Sequence, residues 1–431
     1  MREHHLKKTK GIDLSPLRDS SAYRRLYTAG FVTSLGTQAT YVTIPYQLKQ
    51  LTHSPLEVGS LGLVALLPLV FFGLYGGVLA DRMNRRTLIV VLEVCMMGLT
   101  TLTLVNSLLH RPLVWPLFVL TGLFAAFSSL QSPSLSALNQ VLVTHDMQRA
   151  SSTLQVISRN TTSIIGPAIG GLVAVAFGPS YIYGANVITF CGSIFLLVGL
   201  DKNLSPTPTH ERSDRESFMA ATSFLRGRPD IVGTYLIDLM AMTFAFPVSM
   251  MPFVAARYHQ TYALSLLYCG LPAGALVASV ISNWTHKVHF YGRAIAIAAA
   301  AWGLGIAVFG YSSSLLVVFL GLCVAGGADS YSAIFRSTMW NESIPPEMRG
   351  RMAGMEMISY SLGPTAGQFR AGLMAAWTTM RFSLTFGGLA CTGVVGAVTA
   401  ALPSLWRFDA RTNEHVADVR AIRARENIDT A

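Results

Sequence analysis

Residues 166–170 read GPAIG, and residues 363–367, which lie 197 positions further along the chain, read GPTAG. Each copy lies within a long apolar run that follows a short polar loop, VTHDMQRASS before the first copy and IPPEMRGRMAG before the second. A period of about 200 residues is too long for a solenoid, whose units have about 20–50 residues. The repeat instead favours a six-helix unit duplicated in parallel, as in transporters that bind substrate between two halves near the bilayer midplane.

The composition of the chain restricts the class of protein. Of its 431 residues, 52% are hydrophobic and only 13% are charged, whereas soluble domains have about 25% charged residues. Disordered chains lack this much apolar side chain, and an ordinary soluble enzyme needs more surface charge. The composition therefore indicates a membrane protein that crosses the bilayer several times, with about 20 apolar residues in each span.

Twelve apolar stretches are long enough to cross a bilayer. They lie at residues 22–46, 58–80, 86–108, 113–138, 151–176, 180–200, 232–257, 264–284, 292–312, 315–340, 354–377 and 382–405. The pattern predicts an all-α membrane protein with twelve transmembrane helices in two six-helix, pseudo-symmetric halves. The predicted parts are a tail at 1–21, halves at 22–200 and 231–405, a linker at 201–230 and a second tail at 406–431.

The distribution of lysine and arginine predicts the orientation of these spans, because cytoplasmic loops carry the excess of basic residues. With both termini in the cytoplasm, 25 of the 32 basic residues lie on the cytoplasmic side, four lie outside and three lie within spans. The formal charge of +10 therefore reports membrane orientation, and no nucleic-acid partner is expected. We expect a monomer in the cell membrane, with both termini and the linker in the cytoplasm.

The loop between spans 2 and 3 combines an acidic residue with a basic cluster in the sequence GVLADRMNRR, residues 77–86. This loop resembles the signature loop of the major facilitator superfamily, whose acidic residue latches the two halves. The resemblance implies a gating role for Gly77, Asp81, Arg82, Arg85 and Arg86, with Glu356 of span 11 as a partner or as a snorkelling side chain. Asn84 stands where the family usually has glycine, and Asn tolerates a positive φ. A basic loop that only sets topology is the alternative.

Span 5 carries Gly166, Pro167, Gly170 and Gly171, which together resemble a superfamily motif of exporters. Proline removes a helical hydrogen bond and glycine permits close approach, so a bend and a tight packing face are expected. Packing alone is the alternative reading. Exporters often have an arginine in span 4, but Phe118 occupies that position here, so proton coupling would use other groups.

Two longer stretches are similar to the enterobactin exporter-like branch of this superfamily. They are residues 36–59, which include GTQ, PYQ and LTHS, and residues 327–351, which include GAD, RST and PEMRGR. The similarity extends over nearly the whole chain. It implies the twelve-helix major facilitator fold and proton-driven export of siderophores or other lipophilic compounds.

An ionisable residue within a span costs at least about 2.5–3.5 kcal/mol at the bilayer centre. Five such residues are candidates for proton coupling: Asp238, Asp329, Arg159, Arg336 and Glu93. Asp329 and Arg336 share a face about 10.5 Å apart along the helix axis, and are expected to frame a cavity. Arg159 is expected to pair with one of the two aspartates, and Glu93 to reach the cytoplasmic end. Static ion pairs that lock the helices are the alternative.

Candidates for the substrate cavity are polar, aromatic and methionine side chains at helical spacing. They are Gln38 and Tyr41 in span 1, Gln131 in span 4, and Met242 and Phe246 in span 7. Methionine and aromatic side chains adapt to varied lipophilic ligands. The Met/Phe stripe is also compatible with ordinary packing between helices.

Together these features predict a secondary exporter of lipophilic compounds or siderophores, driven by proton antiport with alternating access. A proton-coupled importer of a small solute is a second possibility, and a non-transporting sensor or lipid-handling protein is a third. The sequence has no GxxxxGK[ST] phosphate loop and no metal-ligand spacing among its five cysteines. We therefore expect neither enzymatic activity nor a cofactor.

Overall fold

The computed structural model describes residues 13–200 and 222–429, apart from the side chains of residues 73–82, 145, 425–429 and nine positions between 346 and 358. All regular structure in these described ranges is helical. The long helices are α1 (Ser21–Thr52), α2 (Pro55–Arg82), α3 (Arg85–Leu108), α4 (Trp115–Val141), α5 (Gln148–Ala176), α6 (Pro179–Val198), α7 (Pro229–Ala245), α8 (Ala263–Val280), α9 (Tyr291–Tyr311), α10 (Leu315–Ser343), α11 (Pro346–Trp377), α12 (Met380–Ala401) and α13 (Glu414–Asp429).

Helices α1 to α12 coincide with the twelve predicted spans, and the prediction of an all-α membrane fold is confirmed. Nine of them are long and apolar enough to cross a bilayer when α7 is counted together with the turns up to Tyr258. The other three, α1, α5 and α11, have 32, 29 and 32 residues but fewer apolar side chains. Each of these three packs against at least two other long helices.

The two glycine motifs hold equivalent helix pairs together in the two halves. A Cβ atom added to Gly170 of α5 would lie 2.6 Å from the carbonyl oxygen of Ala39 in α1. A Cβ atom added to Gly363 of α11 would lie 2.8 Å from Cβ of Met242 in α7. Small residues at such positions let helix backbones approach closely in a membrane. The sequence repeat therefore corresponds to a structural repeat, α5 on α1 and α11 on α7.

The two halves are in close contact at two places, which we call seams. Both seams lie at the end of the bundle opposite to the chain termini, which we call the loop end. In the first seam, the Ser265 hydroxyl of α8 donates to the carbonyl of Ala168 in α5 at 2.7 Å, and Gly171 leaves room for it. In the second, a Cβ atom on Gly59 of α2 would lie 2.7 Å from the carbonyl oxygen of Gln368 in α11. The halves are thus in close backbone contact at the loop end.

Span 7 is interrupted, in contrast to the continuous stretch that its apolar sequence predicts. Helix α7 ends at Ala245, Phe246 is extended with φ −102° and ψ 102°, and the chain continues through short helical turns from Val248 to Tyr258. Pro247 explains the break, since proline has no N–H and disfavours helical geometry in the preceding residue. The hydroxyl of Tyr268 in α8 donates to the Val248 carbonyl at 3.1 Å.

The predicted C-terminal tail contains helix α13, which docks on the terminal end of α10. Val416 and Val419 are buried in this contact. Arg420 forms an ion pair with Glu342 at 3.4 Å, and Arg423 donates to the carbonyl of Asn341 at 2.5 Å. Part of the tail is therefore a structured element of the second half.

Candidate functional site

A cavity of about 450 Å³ lies within the first half and opens against α11. Its described wall consists of Thr37, Thr40, Tyr41, Ile44, Ala65, Leu69, Leu99, Thr100, Thr103, Leu120, Thr121, Phe124, Ala125, Ser128, Ser129, Ser132, Pro133, Tyr360 and Ser361. All of these side chains are uncharged, and they combine apolar groups with many hydroxyls. The volume is within the range of small-molecule sites, about 300–1,000 Å³.

Four wall hydroxyls already use their hydrogens within the protein. Thr100, Thr103, Thr121 and Ser129 each donate to a backbone carbonyl oxygen at 2.6 to 2.9 Å. A hydroxyl has one hydrogen and two acceptor lone pairs. These four groups therefore offer the cavity only acceptor capacity.

Of the five residues predicted to line a substrate cavity, Tyr41 lies on this wall, and the other four do not line it. Gln38 packs against Gly166 of α5. Gln131 donates to Glu93 at 3.3 Å, within the first half. The sequence shows that these residues are polar and lie at helical spacing. It does not show toward which neighbouring helix or cavity each side chain is directed.

Met242 and Phe246 of α7 pack against the glycines of α11. The nearest neighbour of a Cβ atom added to Gly363 is Cβ of Met242, at 2.8 Å, and the Cβ atom of Phe246 would lie 3.0 Å from one added to Gly367. The Met/Phe stripe therefore serves helix packing here, which was the alternative interpretation of this pattern.

Four ionisable residues of the second half form one cluster, the acidic–basic cluster of Asp238, Asp329, Arg336 and Glu356. Asp238 of α7 forms a buried ion pair with Arg336 of α10, with side chains 8% and 11% exposed. The hydroxyl of Ser359 in α11 donates to Asp238 at 3.5 Å. Asp329 and Glu356 both interact electrostatically with Arg336 and Asp238. Three helices thus place three carboxyl groups around one guanidinium.

The expected pairing of Arg159 with Asp238 is wrong. Asp238 is bound to Arg336, while Arg159 of α5 is exposed and interacts electrostatically with Tyr360. The prediction paired residues that lie at a similar depth in the bilayer. The structure shows that the pairing also depends on the direction in which each residue's helix face points. The absence of a direct Asp329–Arg336 ion pair among the described residues agrees with their two-turn spacing.

Glu93 lies in the interior of the first half, and the expectation that it reaches the terminal end of the bundle is wrong. The residue is 4% exposed. It accepts a hydrogen bond from Gln131, and the hydroxyls of Thr33 and Ser193 lie beside it. Its Oε2 atom has no partner by strict hydrogen-bond geometry, and no basic side chain among the described residues forms an ion pair with it.

The predicted gating loop is only partly visible. The side chains of Gly77, Asp81 and Arg82 lie outside the described residues. Asn84 has φ −60° and caps α3, because its side-chain oxygen accepts from the Thr87 backbone N–H at 3.2 Å. The expected positive φ is therefore wrong, and capping explains the asparagine.

The basic residues that follow this loop also have structural contacts. Arg86 is buried and donates to the carbonyls of Leu197 and Val198 at 3.3 and 2.5 Å, where it binds the last carbonyls of α6. Basic side chains at a helix C-terminus satisfy free carbonyls in this way. Arg85 is half-buried. Arg86 thus joins α3 to α6, a role that its place in a basic loop did not predict.

The exporter-type motif in α5 is buried at all four positions, Gly166, Pro167, Gly170 and Gly171. The first and third residues face α1 within the same half, whereas Gly171 faces Ser265 of α8 in the other half. The motif therefore takes part in two contacts, one between α5 and α1 within the first half and one with α8 at the seam between the halves.

The hydroxyl-rich wall is the feature that sequence reasoning missed. Thr100 and Thr103 are three residues apart, and Thr121, Ser128 and Ser132 recur at spacings of seven and four. These spacings place the hydroxyls on one face of each helix. Helical periodicity of Ser and Thr is a signal that would have identified this wall.

The described residues thus form a helical bundle with two equivalent glycine-packed helix pairs and a cavity in the first half that α11 borders. A sequence model described as transmembrane secretion effector matches residues 12–425. The chain belongs to this family of the major facilitator superfamily. The protein is thus a multi-pass membrane transporter and not an enzyme.

Among curated relatives, the transporter is similar to the enterobactin exporter EntS of Citrobacter koseri, with 28% identity over 402 residues that cover 92% of this chain and 95% of the relative. Among solved structures, it resembles the nucleoside transporter NupG with a TM-score of 0.71 and 12% identity, covering 90% of this chain and all of that one. A bacterial homologue of the lysosomal transporter Spinster, in an inward-facing and unoccupied conformation, gives a TM-score of 0.67 at 13% identity over 90% of this chain and 96% of that one. At these identities the structures show the fold alone.

Proposed function

We propose that this transporter exports siderophore-like or other lipophilic compounds from the cell in exchange for protons, by alternating access. The observation that carries the proposal is the full-length similarity to a relative named as an enterobactin exporter. The uncharged cavity between α1–α4 and α11 supplies a place for such a compound.

The position of the seams supports alternating access. The excess of lysine and arginine in the tails and the linker assigns the terminal end to the cytoplasm. The loop end then faces outward, and both glycine seams close it. The conformation described is therefore an inward-facing one, and export requires these seams to separate while the cytoplasmic end closes.

Two carboxyl sites support proton coupling. Glu93 is buried beside neutral groups, and an ionised carboxylate without a cation is costly in such a place, so we propose that Glu93 carries a proton in this state. In the second half, Arg336 forms an ion pair with Asp238 and interacts electrostatically with Asp329, and a proton on Asp238 would release the guanidinium from that pair. Substrate exchange for a proton at one of these sites gives antiport.

Purified transporter in liposomes tests this proposal. An imposed pH gradient is expected to drive uptake of a siderophore or lipophilic dye into inside-out vesicles, and a protonophore to abolish it. Three variants are compared with the control Glu342→Gln, which alters the exposed ion pair on α10. They are Glu93→Gln, which mimics the protonated side chain, Asp238→Asn and Asp329→Asn. Transport in which the gradient dependence is unchanged in all three variants contradicts the assignment of the proton sites. Wild-type transport that does not depend on the pH gradient contradicts antiport.

The two alternatives predict different results in the same liposomes. An importer would move solute into right-side-out vesicles together with protons that flow down their gradient. A sensor would move no solute. Residues from both halves contribute to the cavity wall, since Tyr360 and Ser361 belong to α11. This arrangement favours a transporter over a sensor with a filled core.

A further inference from the structure

A groove of about 620 Å³ lies on the outside of the second half, between α9 and α12. The two helices touch at each end of it. Toward the loop end, a Cβ atom added to Gly303 of α9 would lie 2.7 Å from the carbonyl oxygen of Gly388 in α12. At the terminal end, Gly292 of α9 packs against the carbonyl of Leu405. The groove is the gap that the helices leave between these two contacts.

The walls of this groove are apolar and open to the lipid. Ala296 and Ile297 of α9 line one side, and Ile297 is 63% exposed. On the other side, a Cβ atom added to Gly396 of α12 would meet no atom within 4 Å. From Thr392 to Ala400 the groove follows α12 for about 12 Å. One leaflet of a bilayer has about 15 Å of hydrocarbon, half of a core of about 30 Å, so the groove has the length of an acyl chain segment.

The terminal end of the groove carries positive charge. Trp406 and Arg407 line the groove there. The guanidinium of Arg293 lies over the rings of Phe290 and Trp406, 4.3 and 5.5 Å from their centroids, and its Nε donates to the Trp406 carbonyl at 3.1 Å. Tryptophan and arginine at the end of a span are typical of the level of the lipid headgroups.

Neither arginine has a carboxylate partner among the described residues. The ion pairs there join other side chains. Asp409 and Glu414 border a separate surface pocket together with Arg407, but neither carboxylate forms an ion pair with it. A planar guanidinium matches the geometry of phosphate, and basic pockets between helices on the cytoplasmic side bind anionic headgroups.

We infer that this groove binds an anionic phospholipid of the cytoplasmic leaflet, with one acyl chain between α9 and α12 and the phosphate beside Arg293 and Arg407. A zwitterionic lipid with the same chains fits the apolar part equally well, so the two arginines provide the selectivity. Both walls belong to the second half, and the site therefore persists whichever way the cavity between α1–α4 and α11 opens. The inference is independent of the substrate and of the energy source of transport.

Native mass spectrometry of the purified, delipidated full-length transporter measures this selectivity. The protein is titrated with 1-palmitoyl-2-oleoyl phosphatidylglycerol or with phosphatidylcholine that has the same acyl chains. The first phosphatidylglycerol is expected to bind about tenfold or more tightly, because each basic residue near the membrane surface adds to the attraction for an anionic lipid. Equal affinity for the two lipids overturns the inference.

An arginine variant tests the headgroup part of the site. Arg407→Gln removes one positive charge and is expected to weaken phosphatidylglycerol binding about threefold to tenfold, with phosphatidylcholine binding unchanged. Arg149→Gln is the control, because Arg149 is an exposed arginine in the first turn of α5, in the other half. Equal losses in the two variants, or no loss in Arg407→Gln, overturn the inference.

A glycine variant tests the acyl-chain part. Gly396→Leu places a side chain in the groove and is expected to weaken binding of both lipids about threefold or more through lost packing of the chain on the walls. Gly393→Leu is the matched control on the same helix, because a Cβ atom there also meets no atom within 4 Å, and Gly393 does not line the groove. Unchanged affinity in Gly396→Leu, or an equal loss in Gly393→Leu, overturns the inference.

Photo-crosslinking of the wild type locates the lipid without any substitution. Phosphatidylglycerol with a diazirine in one acyl chain is irradiated with the transporter in liposomes, and the labelled peptides are identified by mass spectrometry. Labels are expected within Tyr291–Tyr311 and Met380–Ala401, and unlabelled phosphatidylglycerol is expected to compete better than phosphatidylcholine. Even labelling of all lipid-exposed helices overturns the inference, as does a dimer without bound lipid whose crosslinks place a second copy of the chain in the groove.

Discussion

The ion pair between Asp238 and Arg336 shows at the scale of single residues how a charge is kept within the membrane. Both side chains are nearly buried, so removal of Asp238 leaves Arg336 with only the electrostatic interactions of Asp329 and Glu356. Asp238→Asn is therefore expected to destabilise the folded protein by about 3 kcal/mol, the lower end of the range for breaking a buried pair. Thermal unfolding in detergent measures the change as a lowered melting temperature.

A double variant separates this ion-pair effect from a general loss of packing. Asp238→Asn combined with Arg336→Gln removes both charges of the pair and is expected to recover part of the lost stability, since Asp329 and Glu356 then lack their cation. The exposed pair of Arg420 and Glu342 is the control, and Glu342→Gln is expected to cost about 1 kcal/mol or less. A double variant as unstable as Asp238→Asn alone would contradict the role of unpaired charge.

The sequence identifies which residues are anomalous at this scale but not how they are partnered. Asp238, Asp329, Arg336 and Glu93 are recognisable because charge is costly in an apolar span. Their partners depend on the rotation of each helix about its axis, which packing determines. Periodicity within one helix contains no information on that rotation relative to a helix about a hundred residues away.

At the scale of helices, the α2–α11 seam is closed because neither helix has a side chain at the crossing point. Gly59 and Gly372 face each other there. Gly59→Leu is expected to destabilise the closed loop end by about 1–3 kcal/mol through overpacking and to shift the population about tenfold or more toward the opposite conformation. Spin labels at Lys49 and Gln260, on either side of the loop end, report the change as a longer distance.

A leucine elsewhere controls for the substitution itself. A Cβ atom at Gly98 of α3 would have no neighbour within 4 Å, so Gly98→Leu is expected to leave the label distance unchanged. An unchanged distance in Gly59→Leu would show that the seam does not govern closure of this end.

The helices themselves were predictable, and their interruptions and seams were less so. Apolar length predicts α1 to α12 but not the polar α13, because a helix is one of the few structures that satisfy the backbone within lipid. The GPAIG and GPTAG repeats predict close packing but not which neighbour each glycine meets. The break at Phe246 was overlooked because Pro247 lies in an uninterrupted apolar stretch.

At the scale of the whole molecule, orientation is the property that gives the seams and the cavity their functional meaning. Cysteine is introduced singly at His110, in the α3–α4 loop, or at Asn413, before α13, in a protein whose five native cysteines are replaced. A membrane-impermeant maleimide is expected to label position 110 in intact cells and position 413 only after lysis, because basic residues are retained in the cytoplasm. The reversed labelling pattern would contradict the assigned orientation and with it the direction of transport.

Among the helices that correspond to the predicted spans, α1, α5 and α11 are the least apolar. This difference has a consequence for biogenesis. Insertion machinery partitions each emerging segment by its own affinity for lipid, so these three helices are weak signals when they leave the ribosome. We expect the basic residues before α1 and the strongly apolar α2 after it to provide the missing drive, so that the two insert as a hairpin. On the same grounds, we expect α5 and α11 to enter together with α6 and α12.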